Sequence, residues 1–171
     1  DRGDIRLCSK DSSLQIAVSD NDNIGVKLAL KNLCNDFKAV NGSAVTLTSA
    51  AKGSAIVVGT LGSSTLIDQL AKQGKIDARQ LKGKTEKYII TIVDGKLIIA
   101  GSDRRGTIYG IYELSRQIGV SPWYYWMDVP VAKHKDIYVN NGIYTDGEPA
   151  VRYRGIFLND EAPCLTTWVK N

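Results

Sequence analysis

Three polar residues in a row, Asn159-Asp160-Glu161, follow directly on an apolar triplet, Ile156-Phe157-Leu158, within VRYRGIFLNDEAPCLTTW (Val151–Trp168). Carboxylates of this kind can give or take a proton at a reacting group. A short buried strand that releases them at its C-terminal end is how a (β/α)₈ barrel brings catalytic groups to its mouth. In an extended chain neighbouring side chains point to opposite sides, so at most one of Asp160 and Glu161 reaches a shared site. The same carboxylates could instead cap the turn near Ala162-Pro163, and the residues alone leave both uses open.

A second group of candidates is SPWYYWMDVP (Ser121–Pro130), where Trp123, Tyr124, Tyr125 and Trp126 stand side by side. Aromatic faces of this type serve as sugar-binding surfaces or as the centre of a domain interface. Packing against a partner domain is the preferred reading, with sugar contact second. The junction Gly101-Ser102-Asp103-Arg104-Arg105-Gly106 resembles a phosphate loop only superficially. It has neither the GxGxxG nor the GxxxxGK[ST] spacing, and Gly106 and Gly110, four apart, read better as places where a helix lies close on a sheet. His134, the one histidine, has no neighbouring Cys, His or carboxylate cluster and is read as a surface residue, so no metal site is expected. Cys8, Cys34 and Cys164 form no metal or disulfide pattern. Cys34 reads as a small core residue, and a Cys8–Cys34 bridge stays open.

These groups need elements to hold them. Leu14–Val18 reads as a strand, and Ser19–Asn23 as a polar turn capping a helix that runs to about Val40. Val26, Leu30, Leu33, Cys34, Phe37 and Val40 draw one apolar stripe down that helix, and Asn41-Gly42 ends it. Val45–Thr48 and the apolar run Ser54–Thr60 are strands, the latter buried on both faces. A second helix starts at Ser63 or Ser64 and runs to about Lys72, followed by a polar connector to Gly83. Tyr88–Val93 and Lys96–Ala100 form a hairpin about Asp94-Gly95. The helix after Gly106 turns Ile108, Ile111, Tyr112, Ser115 and Ile118 to one face and stops at Gly119, and Ile137–Val139 is a last strand. The fold expected is α/β, a mixed sheet with packed helices in an α+β sandwich.

Composition agrees with one globular domain: 171 residues, 43% hydrophobic, 23% charged and 16 glycines. The net charge of +4 is spread without a basic run, which argues against nucleic acid as partner. No apolar run approaches the ~20 residues of a membrane span, so a soluble chain is expected. A (β/α)₈ barrel needs roughly 250 residues. Residues 1–150 are therefore expected to be an N-terminal accessory domain, and 151–171 the start of a truncated catalytic barrel.

The blocks GSDRRGTIYGIYELSRQIGVSPWYYWMDVPV (Gly101–Val131) and VRYRGIFLNDEAPCLTTW resemble family 115 glycoside hydrolases, the xylan α-1,2-glucuronidases. The preceding strands, hairpin and helix are similar to the accessory domain before the barrel in β-hexosaminidases and family 67 α-glucuronidases. The resemblance implies an inverting hydrolase that removes (4-O-methyl)glucuronic acid from glucuronoxylan, without cofactor, in the periplasm or secreted. It also implies Asp160 and Glu161 as catalytic candidates and Asn159 with Trp123, Tyr124, Tyr125 and Trp126 as substrate contacts. The fragment alone is expected to be inactive. A stand-alone xylan-binding module and a ligand-free buttress are the other readings.

Overall fold

The structure, a computed structural model, describes residues 5–157. Its strands are β1 (Ile5–Ser9), β2 (Ser13–Val18), β3 (Ala44–Thr48), β4 (Ile56–Thr60), β5 (Tyr88–Val93), β6 (Lys96–Gly101), β7 (Asp136–Val139) and β8 (Ile143–Tyr144). Its helices are α1 (Ile24–Asn41), α2 (Thr65–Lys72) and α3 (Arg104–Gln117), with a 3₁₀ turn at Ala78–Gln80. Six strands form one mixed sheet in the order β3-β2-β4-β6-β5-β8. β3, β2, β4 and β6 run parallel, while β5 and β8 are antiparallel to their neighbours.

Alternation along the central strands builds a core on each face. Ile16, Val18, Ile56, Val58 and Ile99 point toward α1 and α3, where they meet Leu30, Phe37 and Ile111. Ala17, Val57, Ile98 and Ala100 point the other way, under Ile67 of α2 and Ile76 and Leu81 beside the 3₁₀ turn. β4 is buried along its whole length, as a continuous apolar run between two helical layers requires. The expected α/β class and mixed sheet are what the chain forms.

Local chemistry sets the ends. The Asn23 side chain accepts a hydrogen bond from the Gly25 N–H at 2.9 Å and starts α1, and Gly42, in the left-handed region at φ 81°, donates its N–H to Lys38 O and stops it. Asp94 and Gly95 both adopt positive φ, 50° and 74°, which is the tight primed turn expected of that pair.

Two readings are corrected. Its spacing puts Tyr112 on the inward face of α3, but it is 44% exposed and Leu114 is buried instead. The buried face of α3 runs through Gly106, Gly110, Ile111 and Leu114, which turns Tyr112 toward α1, where its hydroxyl accepts from Asn32 Nδ2 at 2.8 Å. Cys34 is half-buried rather than a core residue, and Cys8 and Cys34 are both free thiols. β1 pairs with β7 as a separate antiparallel ribbon. Neither β1 nor the two-residue β8 was legible from periodicity. Among the described residues no helix is long and apolar enough to cross a membrane.

Candidate functional site

Open parallel sheets offer ligands a crevice beyond the C-terminal ends of their strands. Here that crevice is closed by the chain's own side chains. Asp22, at 5% exposure, takes the backbone N–H of Thr60 at 2.8 Å and of Asn23 at 2.7 Å. Ser19 and Ser64 share a hydrogen bond at 2.9 Å, and Thr60 and Thr107 another at 2.7 Å. A Cβ on Gly101 would stand 2.2 Å from Thr107 N. The N-terminus of α3 donates inward, its Gly106 N–H going to Asp103 Oδ1 at 2.8 Å. The strand–glycine–helix junction is thus a packing device, as its spacing suggested. A Cβ on Gly106 would lie 2.2 Å from Lys87 O, and one on Gly110 2.7 Å from Ile99 Cγ2.

A groove of about 1020 Å³ lies open on the other side of α3. Its walls are Asn32 and Asp36 of α1, Tyr109 and Tyr112 of α3, and Tyr124 and Tyr125 of the connector after α3. Glu86 stands at one end, 5% exposed and in the left-handed region at φ 53°. Its carboxylate accepts from Arg105 Nη1 at 2.8 Å and from Arg154 Nη2, and its backbone N–H donates to Asp103 Oδ2 at 2.8 Å. The two guanidinium hydrogen bonds, Arg105 first, hold the Glu86 carboxyl below the usual range. The Tyr88 hydroxyl donates to Asp146 Oδ2 at 2.6 Å and that of Tyr144 to Asp146 Oδ1 at 2.9 Å. Burial, then the Asp146 contact, pushes the Tyr88 hydroxyl upward.

Two further groove carboxyls shift in opposite senses. Burial raises Asp36, against a lowering hydrogen bond from Ser115. Burial would also raise Glu113, but hydrogen bonds from Arg116 and then Gln117 outweigh it and hold that carboxyl low. Opposed shifts can mark an acid and a base. Glu113, however, has both oxygens occupied, Oε2 by Arg116 Nε at 2.9 Å and Oε1 by Arg116 Nη2 at 2.6 Å and Gln117 Nε2 at 2.7 Å. It is an anchor within α3.

Of the residues singled out from sequence, Trp123, Tyr124, Tyr125 and Trp126 are exposed by 58%, 52%, 72% and 65%. None is core. Only Tyr124 and Tyr125 line the groove, and Tyr125 meets Trp126 edge-on at 87°, so the four rings are not one flat surface. Asn159, Asp160 and Glu161 lie outside the described residues. Ile156 and Phe157, read as strand core, are 87% and 90% exposed and unpaired. His134 is exposed, and no three His, Cys, Asp or Glu side chains converge as metal ligands among the described residues. Glu86, Tyr109 and Asp146 were not singled out, because nothing in their spacing distinguishes them from ordinary loop and helix residues.

Residues 4–114 match the model of Glycosyl hydrolase family 67 N-terminus. The chain belongs to this family. Residues 146–171 match the model of Glycosyl hydrolase family 115, so the family 67 N-terminal domain runs here into a family 115 pattern. It is similar to a solved family GH115 4-O-methyl-α-glucuronidase with specificity for decorated arabinogalactans, at 35% identity and TM-score 0.86 over 96% of this chain. The chain spans 21% of that enzyme's length. A Streptomyces plicatus N-acetyl-β-hexosaminidase shares the fold, at 15% identity and TM-score 0.56, covering 90% of this chain and 25% of the enzyme. No curated protein matches the chain by sequence.

Proposed function

We propose that this chain is the N-terminal accessory domain of a longer glycoside hydrolase that releases (4-O-methyl)glucuronic acid from an extracytoplasmic polysaccharide. The observation that carries the reading is the 35% identity over 96% of the chain to a 4-O-methyl-α-glucuronidase of which it spans only 21%. The boundary lies near residue 150, and 151–171 begins a (β/α)₈ barrel. The groove face and the exposed Trp123–Trp126 surface seat that barrel. Inverting hydrolysis needs no cofactor: one carboxyl protonates the leaving oxygen, and a second, roughly 6.5–9.5 Å away, activates water. Asp160 or Glu161 supplies at most one of them, with Asn159 beside it holding a sugar hydroxyl, and the other carboxyl belongs to the rest of the barrel.

The test compares this 171-residue chain with the full gene product for uronic acid release from glucuronoxylan and from decorated arabinogalactan. Both backbones are needed, since the resemblance points to the first and the solved relative is described with the second. Activity only in the full product supports the reading, and Glu161→Gln there should lower turnover by about 10²–10⁴. A near-wild-type rate removes Glu161 from the site. No release from either polymer overturns the proposed activity and leaves a carbohydrate-binding module, for which the exposed aromatic rings are the supporting observation.

A further inference from the structure

At the C-terminal end of α1, next to the groove, with which it shares Ala39, three separate segments bring basic side chains into one cleft of about 520 Å³. Lys38 comes from the last turn of α1, Lys10 from the β1–β2 turn, and Lys133, His134 and Lys135 from the connector before β7. The one carboxylate in the lining is Asp11, which stands 3.9 Å from Lys10. The connector is fixed to the helix end, with the His134 N–H donating to Val40 O at 3.3 Å and the Lys133 ammonium to Ala39 O. A cation on the last carbonyls satisfies the negative end of a helix, and Lys133 does that here. Lys38 and Lys135 make no ion pair among the described residues, so two exposed ammonium groups line the cleft together with Lys10.

We infer that this cleft binds an acidic polysaccharide through its uronate carboxylates. Of the proposed function this takes only the acidity of the glycan. The lining argues for single charges spaced along a polymer and against a nucleic acid. It holds lysines and no arginine, hence separate point charges and no planar fork that would grip one anion two-handed. No Tyr, Trp or Phe lines it, so bases would have nothing to stack on. The helix presents carbonyls rather than N–H groups, a negative end that disfavours any anion, so the attraction must come from the lysines alone.

Affinity electrophoresis of the 171-residue chain in native gels containing glucuronoxylan or neutral arabinoxylan tests this. Retardation should occur with glucuronoxylan only and vanish near 1 M salt, where screening acts within roughly 3 Å. Lys38→Gln with Lys135→Gln should weaken it by roughly fivefold, the worth of two exposed charge contacts, while Lys52→Gln with Lys72→Gln, the same charge change at exposed positions outside the cleft, leaves it unchanged. Equal retardation by the neutral polymer, indifference to the lysine changes, or stronger retardation by polyphosphate overturns the inference. Because the assay measures binding by this chain alone, its outcome is independent of whether the full product releases uronic acid.

Discussion

At the scale of single residues, Glu86 is the carboxylate most committed to the folded state. It is buried, its backbone is in a region that favours glycine, and two guanidinium groups converge on it. Its folded pKa lies below the ordinary value. The linked stabilisation is therefore fully present above the unfolded value of about 4.3 and is lost as pH falls through the lower folded one. Thermal melts of the wild-type chain and Glu86→Gln should differ clearly at pH 6 and converge as pH drops toward 3. A gap of equal size at both pH values would show that the side chain's shape matters and its charge does not. Nothing in Thr85-Glu86-Lys87 announces this role in the sequence, since the partners lie 19 and 68 residues away, and only the fold brings them together.

At the scale of elements, the fit of α3 on the sheet depends on absent side chains. A methyl at Gly106 would meet backbone, Lys87 O, which cannot move aside as a side-chain tip can. Gly106→Ala should destabilise the chain by about 1–3 kcal/mol, the usual range for overpacking. Gly155→Ala, where nothing lies within 4 Å, should stay within about 0.5 kcal/mol, and urea denaturation of both separates a packing constraint from a general intolerance of alanine. Helices and inner strands were legible because each carries its own period and punctuation, as with the α1 stripe closing on Gly42 or the Asp94-Gly95 turn. β1 and β8 were not, because β1 pairs with a strand more than a hundred residues away and β8 pairs through two exposed residues. Tyr112 misled for a related reason: its spacing fits the buried face of α3, but the glycines rotate that face toward the sheet.

At the scale of the whole molecule, the two cores are closed and the crevice at the strand ends is stitched shut, yet one side stays apolar and open. Tyr125, Trp126 and Met127 on one connector and Tyr153, Ile156 and Phe157 on the segment after β8 are all more than 60% exposed. A run of exposed apolar surface of this kind is what a partner domain covers, the use already proposed for the aromatic cluster, and the sequence could not show how the rings divide between groove and rim. Exposed side chains contribute little to the stability of the domain that carries them, whereas interface rings at the centre of a contact contribute much. Trp123→Ser with Tyr125→Ser should therefore leave the melting temperature of the 171-residue chain almost unchanged and lower that of the full gene product, with the N-terminal domain melting apart from the rest in calorimetry. A fall of several degrees in the short chain would place those rings in this domain's own core. An unchanged full product would remove them from the interface and leave carbohydrate contact as their use.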